Sequence, residues 1–223
     1  MMKLSSPLVM AGIAALVLSG CGTVTDGEPV TADTPTSATR TSTPPRTTAT
    51  TVAYIAESPH ETWDQVRRYW SDAQEVDIAH VTLEVTTGVI ACAGTPAPRV
   101  NSLYCDDGAK DTIIYNPRAV ADTDDARVAE RAQRVVLAHE AGHAIQDEMN
   151  TLAGETGSAT APSELSADCF AGFYMARRDT STRAQIDAAL DLTALGKHQA
   201  RRDAFFNGYS ASNAEKCFTD YGG

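Results

Sequence analysis

The stretch from Asp122 to Met149 constrains this chain most, because it reads as one long helix and carries "HEAGH" towards its end. Val128, Ala132, Val135, His139, Gly142 and His143 recur at helical spacing and fall along one side. Asp122, Thr123 and Asp124 are available to cap its start. Positions four apart differ by about 40° around a helix axis, so His139 and His143 project from one face, one turn apart. Two imidazoles so placed can bind one metal ion. Glu140 lies on a neighbouring face, where it is poorly placed as a ligand but can reach a water on that ion.

Two other readings of this helix compete. The histidines could be polar members of a partly buried helix, satisfied by hydrogen bonds. Alternatively, Glu140 and His143 could be the E-x-x-H half of a di-iron bundle, which needs a second such pair on another helix. The only other E-x-x-H is "ESPH" at 57–60, and Pro59 makes it a poor helix interior.

The segment "ELSADC" favours the metal reading. A catalytic zinc ion held by two histidines needs a third protein ligand and one open position. Glu164 follows His143 on a new helix, after a loop long enough to fold back, and Asp168 is one turn further along the same face. This E-x-x-x-D arrangement resembles that of thermolysin-like zinc proteases. The resemblance implies that Glu164 binds the metal and that Asp168 orients a ligand histidine from behind.

The folded part begins late. Residues 1–20, "MMKLSSPLVMAGIAALVLSG", read as an export signal with one basic residue and an apolar run. "LSGC" looks like a bacterial lipobox, which implies cleavage before Cys21 and lipid attachment to it. Residues 21–52 are rich in Thr, Pro, Ser and Ala, with too little apolar surface to offset ordering entropy, and are expected to form a disordered tether. One domain is expected over 53–223. The location implied is the cell membrane, lipid-anchored, on the extracytoplasmic side.

Charge and cysteines agree with export. The formal net charge is −11, which argues against nucleic acid as a partner. Of five cysteines, four remain after Cys21 is assigned to lipid, and an even number in an exported chain favours disulfides. Sequence distance alone does not decide among the three possible connectivities. The favoured one joins Cys92 with Cys105, closing a short loop, and Cys169 with Cys217, tying the tail to a helix. No C-x-x-C pair supports a cysteine zinc site.

The rest of the chain reads as α+β, mostly helical, with a small sheet preceding the motif helix. Trp63, Val66 and Trp70 mark a helix over 57–74 with its aromatics in the core. Residues 76–93 are rich in Val, Ile and Thr and read as one or two strands, followed by a loop up to Cys105. "TIIY" at 112–115 reads as a further strand, and one that could hold a peptide by edge pairing. A Gly, Ser, Thr and Ala loop spans 153–161. Helices are expected after Pro162, with Ser163 as cap, over 182–195 and over 198–207. His60 and His80 read as surface or structurally satisfied residues.

"HEAGHAIQ", "ELSADCFAGFY" and "GKHQARRDAFFNGYSASNAEKCF" together resemble the bacterial neutral zinc metallopeptidase family, over about residues 60–218. His198, Arg201, Arg202, Phe206, Gly208, Tyr209 and Cys217 carry the match in the tail. The stretch "SLYCDDGAKDTIIYN" is longer than the family's "FYCP" segment. The resemblance implies a zincin-like fold of the gluzincin type and Zn2+ held by His139, His143 and Glu164. It implies Glu140 as the base and His198 as the donor to the developing oxyanion, with Tyr209 as the other candidate. The activity implied is zinc-dependent hydrolysis of a peptide or protein substrate. The competing function is a non-catalytic zinc-containing envelope lipoprotein that binds a protein or peptide partner in the same cleft.

Overall fold

Ser58 opens the first helix by a reciprocal cap. Its hydroxyl accepts the Glu61 N–H at 3.3 Å, and the Glu61 carboxylate accepts the Ser58 N–H at 2.8 Å. Helix α1 (Pro59–Arg68) runs on into one π-helical stretch over Tyr69–Ala73. The computed structural model of the protein describes residues 56–151 and 158–222. The export signal over 1–20, Cys21, the tether over 21–52 and most of the loop at 153–161 lie outside the described residues. Trp63, Val66 and Trp70 are buried as the periodicity predicts. Trp70 stacks on Phe173 with ring centroids 5.9 Å apart and meets the edge of Phe170 at 5.7 Å. Each such side chain contributes roughly 1.5–3 kcal/mol on burial, enough for these contacts to hold α1 on the helices below.

Five strands follow: β1 (Thr82–Val85), β2 (Ala91–Cys92), β3 (Thr95–Pro96), β4 (Ser102–Asp106) and β5 (Asp111–Tyr115). The main sheet has the order β1-β5-β4, with β1 parallel and β4 antiparallel to β5, while β2 and β3 form a separate two-stranded ladder. Two expectations are corrected here. Residues 102–106 are a strand and not part of a loop. The "TIIY" strand is the centre of the sheet and not its edge, the edges being β1 and β4. The reason lies in the alternation of "SLYCD". Tyr104 joins the main core with Ile113 and Tyr115, while Leu103 and Cys105 pack on the other face with Ile90 and Ile114. With both faces covered, the polar/apolar contrast that marks a strand is weak.

Helix α2 (Ala126–Glu148) starts one residue beyond the expected caps: Asp125 Oδ1 accepts the Arg127 and Val128 N–H groups at 3.0 and 3.2 Å. Helix α3 (Pro162–Arg178) is entered from Ala161, with Pro162 at its first position and Ser163 inside the first turn. Then come α4 (Arg183–Leu190), capped by Thr182, and α5 (Gln199–Ser210). A final helix, α6 (Glu215–Tyr221), has no counterpart in the sequence reading.

Backbones approach closely at two crossings. A Cβ on Gly142 would lie 2.7 Å from the Ala167 Cα, so a side chain there would push α3 off α2. Across α3 and α5, Gly172 faces the Phe205 carbonyl and Gly208 faces the Cys169 carbonyl, both too near for a Cβ. Both favoured disulfides are present, Cys92–Cys105 and Cys169–Cys217, and the second ties α6 to α3. Gly208→Ala should therefore cost about 1–3 kcal/mol by overpacking. A urea midpoint equal to wild type would show that α5 can lift from α3 without cost.

Candidate metal centre

Helix α2 places His139, Glu140 and His143 at its most buried stretch, and α3 brings Glu164 up from its first turn. His139 Nε2 lies 3.2 Å from His143 Nε2. Glu164 Oε2 is 3.4 Å from His139 Nε2, and Glu164 Oε1 is 3.6 Å from His143 Nε2. In a tetrahedral site with ligand bonds of about 2.0–2.2 Å, neighbouring donor atoms stand about 3.3–3.6 Å apart. These three side chains can hold a metal ion without rearrangement.

The groups behind them fix which nitrogen faces the centre. Asp168, fully buried one turn after Glu164, has Oδ1 2.8 Å from His139 Nδ1. A proton on Nδ1 then leaves the Nε2 lone pair towards the other ligands. Gln146 does the same for His143: its Oε1 is 2.9 Å from His143 Nδ1, and its Nε2 donates to the Ser163 carbonyl at 2.7 Å. The sequence reading assigned Asp168 to this task but missed Gln146, although its position three residues after His143 puts both on one face.

Arg201 was also left without a role. Its guanidinium grips Asp168 through Nε at 2.7 Å and Nη2 at 2.9 Å, and Nη2 is 3.0 Å from Glu164 Oε2. Three carboxylates, Glu140, Glu164 and Asp168, surround the centre with one guanidinium, leaving two negative charges that a divalent cation would balance. Burial pushes the His139 imidazole down, but Asp168 and Glu164 outweigh it and raise its pKa to about 10. Burial likewise opposes the charge on Glu164, yet hydrogen bonds from His139 and His143 hold it well below the usual carboxylate range. The site therefore favours positive charge at the three ligands, as a proton or as a metal.

His198 and Tyr209, the two expected donors, are not brought to the centre. His198 directly precedes α5, with an exposed side chain that makes no capping bond, and the Tyr209 hydroxyl is directed at the Ser181 carbonyl, 3.5 Å away. Neither lines the cleft. The face of α5 turned to α3 is Arg201, Ala204, Phe205 and Gly208, an i, i+3, i+4, i+7 stripe, and the buried Arg201 is its end nearest the ligands. That stripe was the signal available in the sequence. His60 is exposed, and His80 pairs with Asp111 at 2.7 Å and Glu148 at 3.3 Å at the far end of α2. His80, Asp111 and Glu148, and likewise Asp106, Asp111 and Asp147, are close enough to share a cation, but Asp111 is already paired with His80, Asp106 accepts the Gly108 N–H and Asp147 accepts the Tyr104 hydroxyl.

A cleft of about 430 Å³ opens over the ligands. Its walls include Ser102 and Leu103 of β4, Val135 and Val136 of α2, and Thr193 and Leu195. Glu140 sits in this cleft, only 3% exposed, and its Oε2 accepts the Tyr104 N–H at 2.8 Å. A cleft lined by a carboxylate and three convergent metal-ligating side chains has the parts needed to receive a small ligand beside a bound metal ion. Compared with family models, with curated proteins and with solved structures, the chain gives no match, so the resemblance noted above rests on the residues themselves.

Proposed function

We propose that this chain is a zinc-dependent peptidase, zincin-like in fold, tethered by a lipid on Cys21 to the outer face of a membrane. The observation that carries the reading is the triangle of His139, His143 and Glu164 with Glu140 beside it on the cleft wall. Two nitrogens and a carboxylate at tetrahedral spacing suit zinc better than magnesium or calcium, which prefer all-oxygen sets. Two disulfides agree with an exported chain.

When bound, zinc lowers the pKa of a water towards about 7 and polarises a carbonyl oxygen. The chain's own groups do the rest. Glu140 takes the proton of the attacking water and passes it to the leaving amine, the ordinary work of a positioned carboxylate. Asp168 and Gln146 hold the two imidazoles in the ligating tautomer. Arg201, charged throughout the working range and lining the cleft, replaces His198 and Tyr209 as the donor to the carbonyl oxygen. The outward-facing edge of β4 holds the substrate backbone by strand addition.

Metal analysis with peptide-library cleavage, before and after chelation, tests the reading. About one zinc per chain is expected, with cleavage lost on chelation and restored by zinc. Stoichiometric zinc without cleavage would leave the non-catalytic envelope lipoprotein as the answer. A chain that binds no metal would sink both.

A further inference from the structure

Tyr104 is joined to α2 twice. In the antiparallel β4–β5 pair, Asn116 N–H donates to the Asn101 carbonyl at 2.8 Å, and the register sets Tyr104 opposite Ile113. Hydrogen-bonded positions alternate along such a ladder, so residues 101, 103 and 105 turn their backbone groups to β5, and Ser102 and Tyr104 turn theirs away. The Tyr104 N–H is thus a free-edge donor, and it is taken by Glu140 Oε2. The side chain of the same residue, 8% exposed, crosses to α2 and donates its hydroxyl to Asp147 Oδ2 at 2.9 Å. Burial first, and then Asp147, push this hydroxyl's pKa well up, so it remains a donor at any working pH.

Glu140 and Asp147 are seven residues apart, which is two turns along one helix face and roughly 10 Å of rise. A residue held at both places cannot slide along the helix without breaking one of the bonds. Cys105, the next residue, is tied to Cys92, which limits the strand further. A glutamate has three rotatable side-chain bonds, and a charge-assisted bond to one oxygen removes most of that freedom. Among the described residues no hydrogen bond engages Glu140 Oε1, so that oxygen is left for proton transfer.

We propose that Tyr104 is the positioning residue for Glu140, its hydroxyl anchor on Asp147 holding the backbone N–H that orients the carboxylate. This rests on the peptidase reading for its kinetic consequence but not for its geometry. It also means that the β4 edge offers a peptide Ser102 and the Tyr104 carbonyl, the Tyr104 N–H being already engaged.

The test uses zinc-loaded chain carrying Tyr104→Phe, Asp147→Ala or Asp147→Asn. Phe keeps the ring in the core and the backbone N–H but drops the anchor. Loss of one such bond should lower kcat about three- to tenfold, with KM within about twofold and zinc content unchanged. Asp147→Ala should match it, and Asp147→Asn, which keeps an acceptor oxygen, should restore most of kcat. The backbone amide of residue 104, followed by 15N–1H NMR, should exchange faster and shift in the Phe and Ala variants but not in Asn. Wild-type kcat in Tyr104→Phe, or a loss that appears in KM and zinc content instead, would overturn the proposal. So would an unmoved residue 104 amide, and that readout decides even if the wild type cleaves nothing, an outcome that would sink the peptidase reading alone.

Discussion

Glu140→Gln is expected to bind metal as the wild type does and to lose turnover by about two to four orders of magnitude, the usual worth of a positioned acid–base group. The substitution keeps length and shape in a site where the residue is 3% exposed. Its amide oxygen can still accept the Tyr104 N–H, so the strand should stay in place. Only the basicity goes. The three ligands are untouched, and zinc stoichiometry by elemental analysis should be unchanged. Kinetics against a cleaved peptide give the fall in kcat. Undiminished turnover would remove Glu140 from the chemistry and with it the reaction proposed here.

Asp168→Ala should be the most damaging single change for the fold around the site. The carboxylate is fully buried and serves two partners at once, His139 Nδ1 at 2.8 Å and the Arg201 guanidinium at 2.7 and 2.9 Å. Its removal leaves a buried cation without its main counter-charge, and breaking a buried pair in this way costs about 3–5 kcal/mol. His139 also loses the group that sets its tautomer, which lowers metal affinity about 10–100-fold. Glu164 remains 3.0 Å from Arg201 and would offset part of the charge, so the lower end of the stability range is favoured. Asp168→Asn, still an acceptor for His139, should recover metal affinity more than stability. Denaturant midpoints and zinc titration separate the two effects. An alanine variant as stable as wild type would mean that Arg201 finds another partner, contrary to the geometry seen here.

Much of the site was legible because helix geometry is local. Four-residue spacing alone places His139 beside His143, and Glu164 beside Asp168, whatever the rest of the chain does. Helix caps were less legible: three acidic or hydroxyl residues precede α2, and Asp125, the next in line, took the role. Pro162 and Ser163 competed at the start of α3, where proline's fixed φ set the boundary two residues earlier, with Ala161 and not Ser163 at the cap position. Strand β4 was hidden because both of its faces are covered. His198 and Tyr209 were chosen by resemblance, and the stripe through Arg201, Ala204, Phe205 and Gly208 turned α5 to present Arg201 instead.

By itself, then, the sequence determined which side chains share a turn, and that the domain would be mainly helical with a small sheet. Only the tertiary structure decided what meets across elements: α3 against Gly142, α5 against Gly172 and Gly208, β4 and not β5 at the rim of the cleft, and Arg201 on Asp168. Spacing along one helix follows from its pitch, whereas those meetings depend on how closely separate backbones pack, which one chain position cannot specify without its distant partner.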